Sequence, residues 1–103
     1  MMKTYRGGRS LDGAVATVAE GDQTRRLDPR YDLKRLSATG FEWTYEGAGP
    51  AQLALALLAD HLGDDAEALR LYPRFMRAVV AELDNSWELS AADIDAALAE
   101  LGG

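Results

Sequence analysis

The sequence predicts an α+β fold: a small antiparallel sheet of three or four strands, with three or four helices packed on one face. Residues 14–18 place β-branched side chains at alternate positions, as a half-buried strand does. Residues 51–62 are almost all leucine and alanine, and later segments repeat apolar residues every three or four positions. A length of 103 residues suits one core, so we expect residues 1–103 to form a single domain.

The N-terminal third supplies the first predicted strands. Residues 4–6 form a short strand that Gly7-Gly8 should end. Asp12-Gly13 and residues 20–22 are turn signals, so residues 14–27 are expected to form a hairpin.

Residues 29–40 are predicted to be a loop. Pro29 cannot donate to a strand ladder and therefore closes the hairpin. Three apolar side chains should hold this loop against the core: Tyr31, Leu33 and Leu36.

Residues 41–45 alternate aromatic and polar side chains, which predicts a strand with one buried face. Phe41, Trp43 and Tyr45 would share that face. They could instead form a stacking platform for bases. Core packing is favoured because the rest of the chain is acidic.

Residues 51–62 are apolar on every side, so this helix should run through the centre of the domain. Pro50 suits the first helical position because it has no amide proton to leave unpaired. Gly63 is expected to end the helix.

Two further helices follow. Asp64, three residues before Glu67, resembles a capping box and begins the first of them. Pro73 should kink this helix or divide it in two. Its predicted inner stripe comprises Leu69, Tyr72, Met76, Val79, Val80 and Leu83.

After a turn at residues 84–86, residues 87–89 are expected to be extended. Ser90 then caps the last helix, with Asp93 at its third position. Gly102-Gly103 ends that helix, whose inner stripe is Ile94, Leu98 and Leu101.

Residues 40–60 also resemble a small prokaryotic family of uncharacterised proteins. The shared pattern is Gly-Phe-X-Trp-X-Tyr-X-Gly-X-Gly-Pro-Ala-Gln-Leu-Ala, from Gly40 to Ala54, and the rest of residues 1–100 matches loosely. In the resembling family the loop reads Gly-Tyr-Gly-Gly-Ser-Gly-Pro, where this chain has Thr44 to Pro50. Glu46 thus replaces a glycine and Ala48 a serine. The resemblance implies no catalytic residue.

The glycine-rich turn before the central helix is the candidate ligand site. A helix N-terminus offers free amides and partial positive charge to an anion. The candidate residues are Tyr45, Gly47, Ala48 and Gly49. The competing interpretation is structural, since two glycines also allow a sharp reversal into the helix, and it is favoured because Pro50 removes a donor.

No catalytic residue and no metal site is assigned. His61 is the only histidine, and without cysteine the chain has no thiolate ligand or thiol nucleophile. We expect His61 to be a surface residue near a helix end. If the protein is an enzyme, Asp60, His61 and Tyr45 are the least implausible participants.

Charge is unevenly distributed along the chain. Residues 1–36 hold eight basic and five acidic residues, a net +3, whereas residues 37–103 hold three and twelve, a net −9. With a net charge of −6, nucleic acid is not the expected partner, because binding to it depends on neutralising phosphates. No signal peptide or membrane span is recognised, so a cytoplasmic location without a membrane partner is expected.

These observations predict a non-enzymatic module that binds another protein, with no cofactor. Its acidic C-terminal two thirds would suit a basic partner. The alternative is a small-ligand or anion-binding domain that uses the helix N-terminus at Gly47 to Pro50. The sequence leaves the oligomeric state open.

Overall fold

The computed structural model describes residues 3–11 and 13–102. Its four-stranded antiparallel sheet and three α-helices confirm the predicted α+β class. The strands are β1 (Lys3–Ser10), β2 (Gly13–Glu20), β3 (Gln23–Arg26) and β4 (Trp87–Ser90). The helices are α1 (Ala48–Leu62), α2 (Asp65–Ala78) and α3 (Ala91–Glu100), with a 3₁₀ turn at Val80–Glu82.

The sheet has the strand order β3-β2-β1-β4. β2 and β3 form the predicted hairpin, in which Thr17 faces Arg26, and Gly21 turns the chain with φ 61°. The predicted turn at Asp12-Gly13 lies partly outside the described residues, because Asp12 is not among them. Gly13, which is described, has φ 97°.

β1 does not end at Gly7-Gly8, as the sequence suggested, but continues to Ser10. Gly7 pairs with Trp87 of β4, and a Cβ atom at position 7 would overlap the indole ring. This glycine therefore makes room for an aromatic ring and does not terminate the strand.

The prediction of a strand at residues 41–45 is wrong, because this segment is irregular and β4 occupies the place beside β1. Thr44 has φ 80°, which interrupts an extended run, and its amide donates to the carbonyl of Val80 at 3.3 Å. Trp43 is buried whereas Tyr45 is 49% exposed. The rings therefore do not share one buried face.

The central helix is confirmed. Every residue of α1 from Gly49 to Ala59 is buried, and Gly63 ends the helix with φ 63°. The helix begins at Ala48, two residues before Pro50, so the proline occupies the third position and not the first. It still lies in the first turn, where a missing amide proton costs no helical hydrogen bond.

One buried polar side chain in α1 holds the loop of residues 29–40. Gln52 Oε1 accepts the amides of Leu36 and Ser37 at 2.7 and 3.1 Å. Its Nε2 donates to the carbonyls of Pro29 and Lys34 at 2.7 and 3.1 Å. Sequence reasoning missed this role, although a lone glutamine in the apolar run of residues 51–59 was its signal.

The apolar contacts predicted for that loop are correct for Leu33 and Leu36, which pack against the core. Tyr31 instead stacks with the Arg35 guanidinium, at 4.7 Å from the ring centroid.

The remaining helices follow their predicted caps. Asp64 accepts the Glu67 amide at 3.1 Å, and Ser90 and Asp93 form a full capping box. α2 is continuous across Pro73, so the predicted division there is wrong. Most of the predicted inner stripe is confirmed, since Val80 is buried and Tyr72, Met76, Val79 and Leu83 pack against the core. Leu69 is the exception at 36% exposed, and the buried residues of α2 itself are Ala68, Leu71 and Phe75.

Candidate functional site

The glycine-rich turn that the sequence singled out forms the start of α1. Gly47 is the N-cap, and this helix end has no side-chain cap within the described residues. The Tyr45 ring lies so close to Gly47 that an added Cβ would be 2.8 Å from it. A Cβ on Gly49 would lie 2.7 Å from the Cβ of Glu42. Close packing therefore accounts for both glycines.

The four predicted ligand-binding residues lie together at this end of α1 but differ in accessibility. Tyr45 is half-exposed, Ala48 is exposed, Gly47 is intermediate and Gly49 is buried. Glu46, also exposed, places a carboxylate beside the helix N-terminus. That carboxylate takes up part of the favourable interaction that the helix dipole would offer to a bound anion.

The three residues considered for enzyme chemistry are not brought together. Asp60 and His61 lie at the C-terminal end of α1, whereas Tyr45 precedes its N-terminus. Residues 48 and 60 alone are about 18 Å apart at 1.5 Å per helical residue.

Asp60 joins the end of α1 to the sheet. Its Oδ1 accepts the Tyr5 hydroxyl at 2.8 Å and Lys3 Nζ at 3.0 Å, while Oδ2 accepts Arg25 at 2.9 Å. Burial alone would raise the pKa of Asp60, but the hydrogen bonds from Arg25, Lys3 and Tyr5 outweigh it and hold that pKa below its ordinary value. A carboxylate with a lowered pKa and three donors is a structural anchor and a poor general base.

His61 is not the surface residue that we predicted. Its side chain is only 11% exposed, and Nε2 lies 2.6 Å from Oδ1 of Asp95 on α3. The pair links two helices.

A buried aromatic cluster forms in place of the base-stacking platform that the sequence left as the less favoured alternative. The Trp43 and Trp87 rings meet edge to face with centroids 5.6 Å apart, and Arg9 lies over Trp43 at 4.7 Å. Arg9 also donates to Glu42 and Asn85, both at 2.7 Å. Because both tryptophans are buried, they have no face on which a base could stack.

The other face of the sheet carries a hollow that sequence reasoning missed. Strand alternation and the β1–β2–β3 register place Arg6, Gly8, Val15, Thr17 and Arg26 together on the side away from Tyr5 and Val18, which face the core. We call this depression, of about 460 Å³, the sheet-face hollow. It is lined by half-buried and exposed residues.

Gly8 lies in the floor of the sheet-face hollow. Among the described residues, a Cβ at this position would meet only Ser86 Oγ, at 3.8 Å. Packing therefore explains Gly7 but not Gly8. A glycine inside a strand forfeits side-chain packing and marks a place where a ligand or another backbone can approach closely.

Three arginines line the hollow, of which Arg9 is held by Glu42 and Asn85. Arg6 donates to Glu88 at 2.8 Å, but both side chains are more than half exposed, so this pair contributes little stability and can exchange partners. Arg26 is exposed and forms no ion pair or side-chain hydrogen bond with the residues that the structure describes.

A second depression, of about 350 Å³, adjoins the first at the end of the sheet. We call it the edge hollow. It shares Val15 and Arg26 with the sheet-face hollow, and its walls include Leu27, Tyr31 and Phe41.

Two kinds of arrangement were not found within residues 3–11 and 13–102. No group of three or more histidine, cysteine, aspartate or glutamate side chains is placed to hold a metal ion. No helix in these residues has the length and apolar character needed to cross a bilayer.

Residues 5–100 match the model of a family of unknown function, DUF6166. No curated protein and no solved structure shows significant similarity to the chain.

Proposed function

We propose that this chain, which belongs to the DUF6166 family, is a non-enzymatic module that binds an acidic segment of another protein in its sheet-face hollow. One observation carries the proposal. Arg26 is exposed and has no ion-pair partner among residues 3–11 and 13–102, and it stands beside a depression whose floor is the unfilled position Gly8. An arginine guanidinium suits recognition of a carboxylate, because it can donate two parallel hydrogen bonds to it.

The surface favours protein over nucleic acid as the partner. The overall charge of −6 opposes the phosphate contacts that dominate nucleic-acid binding. The described aromatic residues of the strands, Tyr5 and Trp87, are both buried, so the exposed face of the sheet has no ring for base stacking.

The distribution of ion pairs favours an acidic partner over the basic one that composition suggested. Six of the twelve carboxylates in residues 37–103 lie within ion-pair distance of a basic or histidine side chain. Those with a cationic or histidine partner are Glu42, Asp60, Asp65, Glu67, Glu88 and Asp95. Half of the carboxylates in that region are therefore already paired, whereas Arg26 lies unpaired among the described residues at a defined depression.

The test is affinity capture from native lysate with three forms of the domain. Wild type and Arg77→Glu should retain the same protein, and Arg26→Glu should lose it. Arg77 is the matched control, because it is exposed on α2, in the helical layer on the far side of the sheet. Equal capture by all three forms would reject the proposal. Capture that disappears after nuclease treatment would point to nucleic acid instead.

A second candidate function uses the helix N-terminus at Gly47, where the described residues provide no side-chain cap. Its test is the phosphate-dependent change in Tm at constant ionic strength. We expect a small change for the native chain, because Glu46 repels anions, and a larger one for the double variant Glu46→Gly, Ala48→Ser. A large, saturable shift in the native chain that Gly47→Val abolishes while the variant stays folded would favour anion binding.

Some expectations from the sequence stay predictions. They are the aromatic and glycine pattern of residues 40–54 as a family signature, a prokaryotic source and a cytoplasmic location.

A further inference from the structure

The edge hollow lies at the end of the sheet where β3 stops and its neighbour β2 continues. β3 ends at Arg26, and the last bond between the two chain segments runs from the Leu27 amide to the Ala16 carbonyl at 3.0 Å. β2 extends three residues further, to Gly13. This part of β2 pairs with β1 on one side only.

The backbone of β2 offers hydrogen bonds at this open edge. In an antiparallel sheet, alternate residues direct their N–H and C=O groups to the same neighbouring strand. Because Ala16 directs its carbonyl to Leu27, Ala14 directs its N–H and C=O to the same side, into the edge hollow. An open strand edge of this kind is a template for an added strand.

The side chains around the edge hollow are largely apolar. Leu27 is buried in its wall, and Phe41 and Tyr31 are half-buried there. Gly40 adopts φ 94°, and the space where its Cβ would lie is open among the described residues. The hollow can therefore take an apolar side chain that enters from solvent.

We infer that the edge hollow receives an extended segment of the partner protein, which continues the line of β3 along β2. The segment bonds through its main chain to Ala14 and places an apolar side chain between Leu27 and Phe41. A neighbouring acidic residue of the same segment reaches Arg26, which both hollows share. This inference rests on the proposed function and specifies its ligand as an acidic–apolar extended peptide.

Arg26 and Phe41 set the charge pattern of the ligand. The Arg26 guanidinium attracts the acidic residue of the segment, and the apolar wall at Phe41 receives its apolar residue. Asp28 also lines the edge hollow, and its carboxylate accepts the Arg30 amide at 2.8 Å.

The experiment selects peptides from a random displayed library on the immobilised wild-type domain and measures their affinity for four forms. Thr39→Tyr fills the mouth of the edge hollow from an exposed position. Thr24→Tyr is the matched control, exposed on β3 and outside the lining of both hollows. The selected peptides should share a pattern in which an acidic residue neighbours an apolar residue. Arg26→Glu and Thr39→Tyr should each weaken binding at least about tenfold, and Thr24→Tyr less than about twofold.

The outcomes separate the two proposals. If Arg26→Glu weakens binding but Thr39→Tyr does not, the edge-hollow inference is overturned and the proposed function stands. If neither substitution matters, both are overturned. If the library yields no binder while lysate capture depends on Arg26, only the extended-peptide inference fails.

Hydrogen exchange gives an independent readout on the same complex. The Ala14 amide should exchange more slowly when the selected peptide is bound, because it gains a strand hydrogen bond. An unchanged Ala14 exchange rate in a saturated complex would overturn the strand-addition geometry.

Discussion

The side-chain oxygen of Gln52 accepts the backbone amide of Leu36 at 2.7 Å, and this contact joins the buried helix α1 to the loop that crosses it. The same side chain bonds three further backbone groups, so it satisfies four polar groups of a segment without regular secondary structure. The loop in turn places Phe41 and Tyr31 at the edge hollow. A helix residue thereby positions part of the proposed binding surface.

Replacing this glutamine should be costly. Gln52→Leu fits an apolar site but leaves the four backbone groups without their partner, and each buried unsatisfied group costs about 1–3 kcal/mol. Some of these backbone groups will form hydrogen bonds with water instead. We therefore expect the free energy of unfolding, measured by urea denaturation, to fall by about 2–5 kcal/mol. Gln23→Leu, on the exposed strand β3, is the control and should change it by less than about 0.5 kcal/mol. Similar effects of the two substitutions would contradict the role given to Gln52.

The central position of α1 predicts a second contrast. Leu55 is fully buried, whereas Leu11 is fully exposed. Leu55→Ala should lower the free energy of unfolding by about 2–5 kcal/mol, because it leaves a cavity in the core. Leu11→Ala should have almost no effect on the same thermal or urea unfolding curve. A Leu55→Ala protein as stable as the native one would mean that the helix is not central.

Local patterns predicted some of these elements well. The hairpin of β2 and β3 and the helix α1 follow from short-range periodicity, which the chain carries in adjacent residues. The aromatic alternation at residues 41–45 was misleading, because a strand also needs a free neighbour in the sheet. β4, which arrives from residues 87–90, occupies that place beside β1.

The candidate binding surface was harder to find from sequence. The sheet-face hollow unites Gly8 on β1, Val15 on β2 and Arg26 on β3, and only the register of three strands brings them together. Gly7-Gly8 was a visible signal, yet it suggested a strand end. The close approach of Trp87, eighty residues away along the chain, accounts for Gly7, whereas packing does not account for Gly8.

Those two glycines give a sharp test. Gly7→Ala would force the Trp87 indole from its position. The Nε1–H of this indole has no hydrogen-bond partner among the described residues, so the ring is held by packing. Overpacking of this kind costs about 1–3 kcal/mol, and the near-ultraviolet circular dichroism of the tryptophan pair should change with it. Gly8→Ala should leave both measurements near their native values. Equal destabilisation by the two alanines would contradict the packing described for β1 and β4.

Thr44 offers a stabilising substitution. Its φ of 80° is strained for a β-branched residue, at a cost of about 1–3 kcal/mol. Thr44→Gly removes this strain but adds about 0.5–1 kcal/mol of chain entropy to the unfolded state. The net expectation is a rise in Tm. Thr44→Ala, which keeps a Cβ at the same φ, should give a smaller rise or none; a Tm that falls for glycine would show that Thr44 is not strained.

The last prediction concerns the response of stability to acid. The pKa of Asp60 is lowered in the folded protein, since hydrogen bonds from Arg25, Lys3 and Tyr5 outweigh the effect of burial. A group with a depressed folded pKa stabilises the fold above its unfolded pKa, about 3.9 for aspartate, and loses that contribution as pH falls through the folded value. Asp60→Asn should therefore be less stable than the native chain at pH 5–8, and the difference should shrink steadily below pH 4.

Tyr5→Phe separates this effect from acid unfolding in general. It removes one donor to Asp60 while keeping the buried ring, so the folded pKa of Asp60 should rise toward its ordinary value. The loss of stability in acid should then begin at a higher pH than in the native chain, as followed by urea denaturation from pH 2.5 to pH 7. When Asp60 is already replaced by asparagine, Tyr5→Phe should not change the pH at which stability begins to fall in acid. A shift of equal size in both backgrounds would mean that the acid response does not pass through Asp60.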